Sequence, residues 1–188
     1  MANPKQRHNL FGIYQSPQGD KDFRELLAAF FRKQFGWNLS SGNITVPNGS
    51  QSAFFVRYSM LAGDMPDGSE RSMHLPLAPV YLGYADIGLS ENFFTATRAN
   101  IELLDDNLFK YHIDFSNLRL TDNTGAMGVC RPTNPAGNVL TDAKPYWNDN
   151  PILALRLSKL GLPGARAGFV VANEEIIRAY TQHHYQSF

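Results

Sequence analysis

The chain has 188 residues, enough for a domain that buries roughly 70% of its unfolded surface. Its 17 Lys and Arg balance 17 Asp and Glu, so no overall field favours nucleic acid or an anionic membrane, and any anion site has to be local. A single cysteine, Cys130, excludes an internal disulfide; no Cys/His spacing resembles a metal site, and no apolar run is long enough to span a bilayer.

In chain order, the start Met1-Ala-Asn-Pro-Lys-Gln-Arg-His8 is polar and leads into no apolar leader, which reads as an unexported, cytoplasmic protein. Residues 20–36 read as an amphipathic helix, because Phe23, Leu26, Leu27, Phe30 and Phe31 recur at spacings of three and four and Gly36 supplies a stop. Asn43 to Val46 reads as a short strand, Pro47-Asn-Gly49 as a turn, and Gln51 to Ala62 as a helix ending at Gly63. Gly63 to Ser69 follows as a surface loop, and Met73 to Leu77 as a strand. Tyr111-His-Ile-Asp114 leads into a short helix capped by Asp114 or Ser116. Met127 to Cys130, Ile152 to Leu157 and Phe169 to Ala172 are short apolar runs of the kind found in buried parallel strands. Asn173-Glu-Glu caps a last helix with acidic residues in its first turn. Strands alternating with helices predict an α/β layer fold.

Two stretches carry chemistry. At Asn48-Gly-Ser50-Gln51-Ser52 a strand turns into a helix, so free N–H groups, hydroxyls and the positive helix end converge where a phosphate would fit; a serine there is ordinarily only a cap. In Arg156-Leu-Ser158-Lys159-Leu-Gly-Leu-Pro-Gly-Ala-Arg166 a lysine and an arginine flank a glycine-broken turn after an apolar strand. That suits a lysine bonded covalently to an aldehyde cofactor and an arginine on its phosphate, although a lysine after a strand is more often a solvated charge. Tyr81, between Pro79 and Gly83, would otherwise be a half-buried loop aromatic, and Asn134 before Pro135 merely a turn. Cys130 reads as a small core hydrophobe rather than a nucleophile.

These blocks, together with Tyr14 to Gly19, Pro76 to Asp86, Phe109 to Asp114 and Arg131-Pro-Thr-Asn134-Pro-Ala-Gly137-Asn138, resemble in order the pyridoxal-phosphate (PLP) aminotransferases of the aspartate aminotransferase fold (class I/II). The resemblance implies part of the large domain of a fold-type I PLP enzyme over residues 14–188, mostly parallel sheet flanked by helices, preceded by an N-terminal arm over residues 1–13. It further implies that Lys159 is the catalytic lysine that binds PLP, that Ser50, Gln51, Ser158 and Arg166 hold its phosphate, that Tyr81 stacks on its pyridine ring and that Asn134 hydrogen-bonds its 3-hydroxyl. Tyr14 matches a residue that reaches the phosphate of the partner's site, which implies a homodimer. The substrates implied are an amino acid and a 2-oxo acid, with no resident metal, nucleic acid or membrane.

Two departures accompany the resemblance. Arg156 stands where the family more often has serine. Between Asp142 and Ala143 the family places a helix and a strand ending in Asp-x-Ala-Tyr, whose carboxylate keeps the pyridine nitrogen protonated, and beyond Phe188 it continues into a long helix and a small domain; the resemblance therefore implies an internally deleted, C-terminally truncated chain. Three readings stay open at this point: an aminotransferase relative marked by its surviving motifs, a PLP-binding or structural remnant without turnover, and a truncated product that folds poorly.

Overall fold

The computed structural model describes residues 15–47, 49–81, 84, 88, 90–105, 107–133, 137–139, 146–156 and 168–186, with the side chains of Ser50, Gln51 and residues 183–186 left aside. The chain forms two compact units, one from residues 1–53 and 144–188 and the other from residues 54–143.

In the first unit, α1 (Lys21–Phe35) forms where the three-four spacing predicts it. Asp20 caps its start, accepting from the Phe23 N–H at 2.7 Å, and Gly36 ends it in the left-handed region at φ 70° with its N–H on the Arg32 carbonyl. A single 3₁₀ turn at Ser41–Asn43 leads into β1 (Ile44–Thr45). β1 pairs antiparallel with β9 (Gly168–Val171), which pairs antiparallel with β8 (Leu153–Arg156). All four residues of β9 are buried, because its two faces enter two different cores. Phe169 and Val171 join Ala28, Phe31, Trp37, Leu39 and Ile44, where Phe31 and Trp37 stack at 5.2 Å; Val170 joins Ala53, Ala172 and Ile177. The last helix, α3 (Glu174–Gln186), is capped by Asn173, which accepts from the Ile176 N–H at 2.8 Å. Ser40 closes the unit by donating to the Glu174 carboxylate at 2.7 Å.

The helix α2 (Gly49–Leu61) starts in the first unit and runs into the second, where its later turns cover a sheet built on β3 (Glu70–Ala78). β2 (Gly63–Asp64) pairs antiparallel with the start of β3, while β4 (Phe94–Arg98) and β7 (Thr124–Met127) pair parallel with it. Met73 and Leu75 pack with Tyr58, Ala62, Tyr84 and Phe93 into the core of this unit. The alternate residues point elsewhere: buried His74 is bonded by both ring nitrogens, to Thr95 Oγ1 at 2.8 Å and Thr97 Oγ1 at 2.9 Å. A separate two-stranded ribbon joins β5 (Asn100–Leu103) and β6 (Phe109–His112).

The fold class is the α/β class that the sequence predicts, and the differences lie in direction and extent. The sheets are mixed rather than mostly parallel: β3 has two parallel neighbours, whereas β1, β9 and β8 are wholly antiparallel. An apolar run reports burial on both faces and carries no information on the neighbour's direction. The loop at residues 63–69 is a tight hairpin closed by the Met65 N–H on the Ser69 carbonyl at 2.8 Å. The strand expected at Met127–Cys130 lies earlier, as β7 (Thr124–Met127), and is half-exposed. No helix follows Asp114; its Oδ1 accepts from the Ser116 and Asn117 N–H groups, both at 3.1 Å, and this ends in a single turn.

Candidate functional site

Of the cofactor-binding side chains that the resemblance implies, only Tyr81 lies among the described ones. Tyr14, Asn134, Ser158, Lys159 and Arg166 lie outside the described residues, and for Ser50 and Gln51 only the backbone, in the first turn of α2, is described. What is described is the chain that borders them.

Gly49 starts α2 at φ 80°, with its N–H on the Pro47 carbonyl at 2.8 Å; a left-handed residue at this turn favours glycine. The first turn contains no acidic residue, so the orphan N–H groups of the helix start keep their positive character for an anion.

Tyr81 is half-buried and meets the ring of Tyr84 nearly at right angles, 5.6 Å between centroids and 86° between planes. Tyr84 is itself buried against Phe54 and Tyr58, and its hydroxyl lies 2.7 Å from the Cys130 thiol. Burial is the first cause that pushes the Tyr84 phenol far above the usual tyrosine range, so it stays a neutral hydrogen-bonding group. Burial likewise raises Tyr58, partly offset by the Arg57 guanidinium, which stands over the Tyr58 ring at 5.2 Å and the Phe54 ring at 4.8 Å.

The segment around Asn134 is held at both flanks. Buried Thr133 donates its N–H to the Asn138 carbonyl at 2.8 Å and accepts from the Asn138 N–H through Oγ1 at 2.9 Å; its carbonyl takes the Gly137 N–H at 2.8 Å. The Asn138 amide then clamps the Tyr111 backbone, accepting its N–H and donating to its carbonyl, each at 3.0 Å. The Ser158, Lys159 and Arg166 segment leaves β8 at Arg156 and re-enters β9 at Gly168, and these two residues are direct antiparallel partners.

Sequence reasoning missed Tyr84 and the hydrogen-bonding side of Cys130, for which no local signal exists: residues 46 apart meet only through packing. It also missed His74, whose pKa is lowered by burial and which borders a cavity of about 710 Å³ with Arg98, Asp114 and Arg119. Among the described residues no group of three or more His, Cys, Asp or Glu could hold a metal ion, and no helix is long and apolar enough to cross a membrane.

By fold and by sequence, the chain is related to the aspartate-fold aminotransferases. The particular protein it resembles is valine–pyruvate aminotransferase: it is 43% identical to that of Escherichia coli K12 over 202 residues, covering 89% of this chain and 48% of the relative. The crystal structure of valine–pyruvate aminotransferase from Salmonella typhimurium LT2 matches with a TM-score of 0.78 at 37% identity, covering 90% of this chain and 50% of that one. A Psychrobacter arcticum 273-4 protein assigned as an amino-acid aminotransferase gives 0.87 at 32% identity, covering 97% and 52%. No protein-family model matches the chain. The chain therefore spans about half the length of these relatives. The match to the Escherichia coli enzyme is also longer than the stretch of this chain that it occupies, so part of the relative inside the matched region has no counterpart here.

Proposed function

We propose that this chain is the PLP-binding part of an aminotransferase of the valine–pyruvate type, with residues 14–188 forming part of its large domain and residues 1–13 an arm. The observation that carries the reading is the 43% identity to valine–pyruvate aminotransferase over 89% of the chain. Two described features support the cofactor: the start of α2 has no acidic residue in its own first turn to repel a phosphate, and Tyr81 is a half-buried ring packed edge to face on buried Tyr84.

In this reading Ser50, Gln51, Ser158 and Arg166 bind the phosphate, the arginine through paired N–H bonds. Tyr81 orients the pyridine ring, Asn134 donates to the 3-hydroxyl, and Tyr14 serves the partner's site in a cytoplasmic homodimer. When bound, PLP supplies the electron sink that makes the substrate Cα–H acidic. Lys159 anchors the cofactor and then, as a free amine, carries the proton away from the substrate Cα. The substrates are L-valine and pyruvate, giving alanine and the 2-oxo acid of valine.

A second reading, cofactor binding without efficient turnover, is favoured by the matched region of the relative that has no counterpart here. Incubation with PLP, borohydride reduction and peptide mapping test the common core of both readings. The expected result is a pyridoxyl mass on Lys159; a label scattered over other lysines, or none, overturns them. Alanine formation then separates the two.

A further inference from the structure

We infer that Cys130 and Tyr84 are positioning residues for the cofactor ring: the thiol–phenol contact fixes the plane of Tyr81 and ties it to the segment that leads to Asn134. The inference rests on the reading of Tyr81 as the stacking residue given above.

Three observations inside one compact unit carry it. Tyr81 and Tyr84 meet at 86°, an edge-to-face contact that favours one mutual orientation of the two rings. Tyr84 cannot rotate freely, because it is 5% exposed, touches Phe54 and Tyr58 at 5.4 and 5.6 Å, and bonds Cys130 Sγ at 2.7 Å through its hydroxyl. Cys130 directly precedes Arg131-Pro132-Thr133, whose Thr133 is locked to Asn138, so the thiol joins this described segment to Tyr84, the neighbour of Tyr81. A core filler would need neither a polar partner nor this position; an alanine or valine would serve it. The hydrogen bond makes the difference, since a buried tyrosine hydroxyl demands a partner and here fixes where the long axis of the Tyr84 ring points, while Phe54 and Tyr58 hold its plane.

The test uses the whole chain in four forms: parent, Cys130→Ala, Cys130→Ser and Tyr84→Phe. Two readouts are made, the ring resonances of Tyr81 by NMR without cofactor, and the dissociation constant and visible circular dichroism of PLP. In Cys130→Ala and Tyr84→Phe the Tyr81 ring signals should shift or broaden and PLP should bind roughly three- to tenfold more weakly, the loss of one modest hydrogen bond. The induced dichroism should fall with it. Cys130→Ser, which keeps a donor and acceptor at the same place, should recover most of both. Unchanged Tyr81 signals in Cys130→Ala overturn the inference, as does a serine variant no better than alanine. If the Tyr81 signals respond as expected but the parent binds no PLP, the function reading fails and the inference, as a statement about cofactor positioning, fails with it. If the parent binds PLP and all four forms bind it alike, the function reading stands and this inference alone is lost.

Discussion

The sharpest structural prediction concerns Gly125 on β7. A Cβ built at this position would lie 1.8 Å from the Leu61 carbonyl oxygen at the end of α2, 3.0 Å from the Leu61 carbonyl carbon and 3.3 Å from Arg71 Cβ. The first two are backbone atoms, so no side-chain rotation relieves the contact. To reach even 3.0 Å from the oxygen, β7 and α2 must part by about 1.2 Å. β7 is held to β3 by the Ser72 N–H on the Asn123 carbonyl and the Gly128 N–H on the His74 carbonyl, each 2.8 Å, and such a movement stretches both. Overpacking of this size costs about 1–3 kcal/mol, and each of the two ladder bonds, if lost, adds about 0.5–1.5, so Gly125→Ala should destabilise the unit by roughly 2–6 kcal/mol. The assay is equilibrium urea unfolding followed by circular dichroism. Gly128→Ala is the control on the same segment, because its Cβ would come no nearer than 3.3 Å to the end of the flexible Leu75 side chain, and it should cost far less. Equal stability of Gly125→Ala and parent would refute the packing of β7 against the end of α2.

Asp20→Ala should lower stability by about 0.5–2 kcal/mol in the same assay, since it removes the acceptor for the Phe23 N–H at the start of α1. Arg166→Ala should weaken PLP binding by roughly 1.5–3 kcal/mol, measured by absorbance titration; equal affinity would show that Arg166 is not the phosphate anchor. Acid should destabilise the second unit through two groups. His74 is held neutral by burial and Asp114 is held ionised chiefly by its Asn117 hydrogen bond, so both titrate lower in the folded chain. Their stability is therefore complete above the unfolded values and lost as pH falls, first below about 6.5 for His74 and then below about 4 for Asp114. Melting temperature followed against pH should drop in those two steps, and His74→Asn should remove the upper one. Assayed with PLP, L-valine and pyruvate, the chain should form alanine far more slowly than the usual range of about 1 to 10³ per second, because no residue matches the carboxylate that keeps the pyridine nitrogen protonated. Ordinary rates that vanish in Lys159→Ala would show that carboxylate to be dispensable.

The features legible in the sequence are those set by neighbours along the chain. α1 follows from the spacing of Phe23, Leu27 and Phe31 with Asp20 and Gly36 as caps, and α3 from Asn173 and the two glutamates after it, because helix hydrogen bonds and caps close within four residues. The motif order alone pointed to the aminotransferase relationship that sequence and fold comparison then bore out. The chemistry of Lys159 and its neighbours rests on that motif order still.

Tertiary structure decided what depends on partners far away in sequence. The ribbon of β5 and β6 is not set by burial: Asn100-Ile-Glu-Leu103 alternates polar and apolar over only four residues, every one of them is exposed, and the turn relies on Asn107 at φ 63°. Strand direction escaped notice for a different reason: Val170 and Val171 look alike whether the neighbour runs parallel or antiparallel, and only the pairing of Arg156 with Gly168 settles it. The contact of Tyr84 with Cys130 joins residues 46 apart, and the His74 bonds to Thr95 and Thr97 span 21 and 23. Composition and spacing specify which residues seek burial or a hydrogen bond, but the identity of each partner is fixed only when separate segments pack against one another.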